Sequence, residues 1–83
     1  MIHKDSIEAA YCFIHQKWRV YKFSNMEWQK DDIEYAIASY VEEMDRELYA
    51  AIAQGKADFL TDHISFAADM QAAEERLESM MQE

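Results

Sequence analysis

The sequence predicts an all-α protein, a small antiparallel bundle of three helices (four if the long middle one breaks) with no sheet. Three observations predict it. The 83 residues include no proline and one glycine, so the residues that make tight turns and hairpins are nearly absent. Apolar residues recur at steps of three and four along three segments, the period of a helix face. Each segment also opens near a residue whose side chain suits a helix N-cap. One helical domain over residues 1–83 is expected, with helices near 6–22, 25–54 and 57–81 and a break near 44–46 as the alternative for the second.

The first helix is expected to start at Asp5, with Glu8 three residues on completing a capping box. Ile7, Ala10, Tyr11, Ile14, Trp18 and Tyr21 make its stripe. Phe13 and Val20 fall off that stripe, so this helix is apolar on more than one side. Lys17 and Lys22 suit its last turns, where cations favour the carbonyl end of the dipole.

The middle stretch, residues 24–55, is expected to organise the chain. Ser24 with Glu27 forms a second capping box, and Phe23 with Trp28 stands where a hydrophobic staple would lie. Ile33, Ile37, Tyr40, Val41, Met44, Leu48 and Ile52 continue one stripe. Gly55 accepts the positive φ that ends a helix. An unbroken run would be far longer than the globular mean of about 11–12 residues. Length and Asp45, a second candidate cap, favour a break; the continuous phase of the stripe opposes one. The last helix should follow, capped by Asp58 or Thr61 and carrying Phe59, Leu60, Ile64, Ala67, Met70, Leu77 and Met81.

Net charge is −9 and unevenly spread. Residues 1–30 hold five basic side chains against three acids, and residues 31–83 hold three against fourteen, balances of +2 and −11. The acidic part disfavours nucleic acid and anionic membrane surfaces, since phosphates are repelled there. The longest apolar run, Ala9 to Ile14, is too short for a signal segment or a bilayer span. With a lone cysteine this points to a cytoplasmic chain.

No residue set reaches the specificity of a catalytic, cofactor or metal motif, so no catalytic residue, cofactor or metal is expected and the chain is read as no enzyme. Cys12 and His15 share a helix face, but no residue pattern supplies an oxyanion site or a group to orient the base, and Cys12 reads as a small buried hydrophobe. Asp58, Asp62 and His63 read as an acidic first turn with a surface histidine. The basic–aromatic alternation from Lys17 to Phe23 suggests base stacking only on a strand; on a helix it scatters around the axis. Met44 and Met70 read as core filling.

A small domain is marginal alone, and self-association is a common remedy. The leading expectation is a non-enzymatic protein acting through protein–protein interaction, most simply as a homodimer, with Phe13, Trp18, Val20 and Tyr21 as interface candidates. One alternative is an acidic inhibitor or anti-defence protein that imitates nucleic-acid charge and binds a partner with a basic surface. A second is a nucleic-acid-associated regulator that uses the basic N-terminal third.

Overall fold

The structure, a computed structural model describing residues 2–82, contains four helices: α1 Lys4–Phe23, α2 Glu27–Glu43, α3 Arg46–Ala53 and α4 Phe66–Met81. They account for 75% of the described residues, among which there is no strand. The fold is the all-α bundle that the pattern of three and four predicts.

The hub is α1, not the middle stretch. On one side Phe13 stacks on Tyr40 with ring centres 4.3 Å apart, and Lys30 lies over the Tyr21 ring. Residue numbers rise on α1 as they fall on α2, so the two are antiparallel. On the other side His15 meets Glu74 and Tyr21 tilts against Phe66, which sets α4 antiparallel to α1 as well. The aromatic first helix can face two neighbours because it is apolar on more than one side. Ala10 and Ile14 sit at its centre, fully buried. They join Ile37, Leu48, Ile52, Met70 and Leu77 in a core drawn from all four helices.

The stripe through residues 33–52 is interrupted at Met44 and Asp45, whose backbones are extended (ψ 149° and 130°). The competing signals resolve in favour of the cap. Asp45 Oδ1 accepts the Leu48 N–H at 3.1 Å and starts α3, while Arg46 donates to the Glu42 carbonyl at 2.9 Å and satisfies an orphan acceptor at the end of α2. Met44 stays buried across the bend, so the phase of the stripe survives a change of direction.

The starts of the first two helices differ from expectation. At the first helix the N-cap is His3, whose carbonyl accepts from Ser6 and Ile7, so Asp5 lies inside the first turn and acts on the dipole rather than as a cap. At the second, Met26 is the N-cap. Ser24 Oγ accepts the Met26 N–H at 3.2 Å and donates to Gln29 Oε1 at 2.7 Å, which closes the turn instead of capping the helix. Phe23 and Trp28 are 76% and 62% exposed, so they form no buried staple.

The largest correction concerns residues 57–65, expected as the start of the last helix. Gln54, Gly55, Asp58 and Leu60 all take positive φ, so the chain coils through an irregular loop and α4 begins only at Phe66. Gly55 does adopt the φ expected of it, +83°. Phe59 and Leu60 are buried by the loop rather than by a helix face, while Ile64, expected in the core, is 93% exposed. The α4 stripe is therefore Phe66, Met70, Ala73 and Leu77, and Ala67 points outward.

This loop is held from three sides. Asp69, 3% exposed in the first turn of α4, accepts the Leu60 N–H at 3.0 Å and the Ser65 hydroxyl at 3.1 Å, with Lys56 Nζ at 3.3 Å. Tyr49 donates to the Phe59 carbonyl at 2.8 Å. Arg76 donates to the Ile52 carbonyl and lies over the Phe59 ring, closing the end of α3.

Candidate interaction surface

The outer face of α1 is built by spacing. Ile14 points to the core, so residues about half a turn away, Gln16, Arg19, Val20 and Phe23, face outward. Val20 is 45% exposed. The outer face of α2 follows the same logic: Ile33, Ile37 and Val41 are buried, which leaves Trp28, Asp32 and Tyr35 as one outward row at steps of four and three. The short turn through Met26 brings these two faces together at one corner of the bundle.

Val20 lines both hollows at this corner. One, about 510 Å³ and open, runs along α1 past Gln16, Arg19 and Phe23. The other, about 230 Å³, lies between the helices and is walled by Lys17, Trp28 and Asp32. Val20, Phe23, Met26 and Trp28 thus form an exposed apolar corner, and large apolar side chains grouped in this way mark interaction sites more often than scattered ones do.

Charge is divided across the corner. Arg19 and Lys22 stand exposed on the α1 edge, with Lys22 Nζ over the Phe23 ring at 5.7 Å. Glu27, Asp31 and Asp32 are exposed on α2, with Asp32 walling the hollow beside Trp28. Among the described residues none of these five makes an ion pair. Burial, followed by the negative field of Glu34, Glu27 and Asp31, raises the Tyr21 hydroxyl above its ordinary 10.

Of the four residues named from sequence, Val20 and no other is both exposed and part of this corner. Phe13 is only half-buried but its ring is covered by Tyr40, so the ground for choosing it, that it lies off the intramolecular stripe, fails: that side of α1 faces α2. Trp18 and Tyr21 stack on each other with centres 6.0 Å apart, Tyr21 packs on Phe66 of α4, and both are partly buried against the core. Phe23, Met26 and Trp28 were missed. Phe23 and Trp28 flank the turn as the pair that reads as a staple, and no pattern in the sequence marks Met26.

The remaining clusters have structural duties. His15 Nδ1 lies 2.7 Å from Glu74 Oε2 and its ring stacks on Tyr11, so it is tied to α4 rather than to Cys12. Cys12 is exposed, against the expectation of burial, because it lies on the outer face of α1. Asp62 accepts the Ile64 N–H in a local turn, and His63 Nδ1 meets both oxygens of Glu34 at 2.8 and 3.0 Å. That contact raises the His63 pKa above 6.5, through the hydrogen bond and charge of Glu34 with smaller help from Asp31 and Glu27. No group of three metal-ligating side chains occurs among the described residues, and no helix there is long and apolar enough to cross a membrane.

No family model matches this chain, and no curated protein or solved structure matches it significantly.

Proposed function

We propose that this is a small non-enzymatic interaction protein that self-associates through the α1–α2 corner, as a homodimer. The observation that carries this is the exposed apolar group Val20, Phe23 and Trp28, which line two adjoining hollows, with Met26 exposed on the turn between the helices. A fully exposed side chain of this kind forgoes roughly 1.5–3 kcal/mol of burial, and these four, 45–76% exposed, forgo a corresponding part of it, a sum still sizeable beside the stability of an 83-residue domain. A two-fold contact is the commonest way for one chain to cover such a surface with its own counterpart. In this reading the first helix contributes through its outer row together with the start of α2, and Phe13, covered by Tyr40, takes no part. The readings as a nucleic-acid mimic or a nucleic-acid-associated regulator rest on overall charge alone.

The test is light scattering on the eluting peak for wild type and for Val20→Glu with Trp28→Glu. A wild type at twice the 9.8 kDa chain mass and a variant at the chain mass support the proposal. Equal masses for the two proteins would oppose it.

A further inference from the structure

We infer that the corner is self-complementary in charge, so that in a two-fold dimer the basic α1 edge of each chain lies on the acidic α2 edge of the other. This rests on the self-association proposed above. The occupant of the surface is a second copy, and the charge pattern argues for it. Arg19 and Lys22 stand beside Phe23 on the α1 side, and Asp32 walls the hollow beside Trp28 on the α2 side with Asp31 next to it in sequence, all exposed and none in an ion pair among the described residues. A two-fold axis through the apolar centre exchanges the two edges. Each copy then brings cations to its partner's anions twice over, with the apolar side chains between them excluding water. An acidic partner protein would satisfy only the α1 edge, and a basic one only the α2 edge. A second copy satisfies both. Rim charges of this kind set orientation and partner choice more than affinity.

The experiment uses two charge-reversed variants of the full chain, Arg19→Glu with Lys22→Glu, and Asp31→Lys with Asp32→Lys. Alone, each brings like charges together at both edges, and its dimer dissociation constant should rise at least about tenfold. Mixed in equal amounts, they restore opposite charges at both edges and should form a one-to-one heterodimer, read by native mass spectrometry with one chain isotopically labelled. Circular dichroism checks that each variant stays helical. If a double variant unfolds, Arg19→Glu and Asp32→Lys run the same mixing test singly. A monomeric wild type would overturn both the self-association and this arrangement. A dimeric wild type whose variants dimerise unchanged, or fail to pair when mixed, would overturn the arrangement and leave self-association standing.

Discussion

Replacing Asp69 with alanine should destabilise the fold by roughly 2–3 kcal/mol, because this buried carboxylate holds residues 54–65 in place. Three contacts are lost. The Leu60 N–H, bonded at 3.0 Å within the buried core, would be left without its acceptor, and an orphaned buried donor costs about 1–3 kcal/mol. The Lys56 contact at 3.3 Å adds less than about 1 kcal/mol, since the Lys56 side chain is 42% exposed and screened by water. The Ser65 hydroxyl keeps Lys56 as a neighbour at 2.9 Å and contributes little. A chain of 83 residues has a total stability of roughly 4–12 kcal/mol, so the loss removes a sizeable share and lowers Tm by roughly 10–20 °C. Urea unfolding followed by circular dichroism measures it, with Asp45→Asn as a control at a distant acid. A free-energy change below about 0.5 kcal/mol would refute the assignment of Asp69 as the anchor of this loop.

Two further outcomes follow from single contacts. Asp45→Ala removes the acceptor for the Leu48 N–H and should cost about 1 kcal/mol, while Asp45→Asn should retain most of it; an alanine variant as stable as wild type would mean that α3 does not depend on this cap. His63 should titrate above 6.5 by NMR and return towards 6.5 in Glu34→Gln. Because its folded-state pKa is raised, the contact stabilises fully below pH 6.5 and fades as pH rises through the folded pKa, so the link from the loop to α2 loosens on the alkaline side. An unshifted histidine would show that the contact is not populated.

The helices were legible where local chemistry and burial agree. Ala10, Ile14, Ile37, Val41, Leu48, Met70 and Leu77 follow the helical period and are buried, and Asp45 carries the signal of the break that the structure contains. Residues 57–65 were misread because Leu60, Ile64, Ala67 and Met70 keep the steps of four and three that a helix also produces. What overrides that pattern is positive φ at Asp58, a residue type that tolerates it, and at Leu60, whose side chain does not announce it. It is sustained by Asp69 and Tyr49, partners 9 and 10 residues away in sequence from the loop residues they bind, and by Arg76 over the Phe59 ring. The candidate surface was half legible. The excess of apolar side chains on the first helix was visible, but which of them face outward depends on α1 lying between α2 and α4. Phe13 and Val20 differ only in what α2 places against them: Tyr40 for one, an open hollow for the other.

Self-association is tested most directly by sedimentation equilibrium of the wild-type chain across the micromolar range at moderate salt. The corner formed by Val20, Phe23, Met26 and Trp28 should give a concentration-dependent mass rising from 9.8 kDa towards twice that value, and added salt should weaken it only modestly because the centre is apolar. A mass that stays at 9.8 kDa throughout would contradict it.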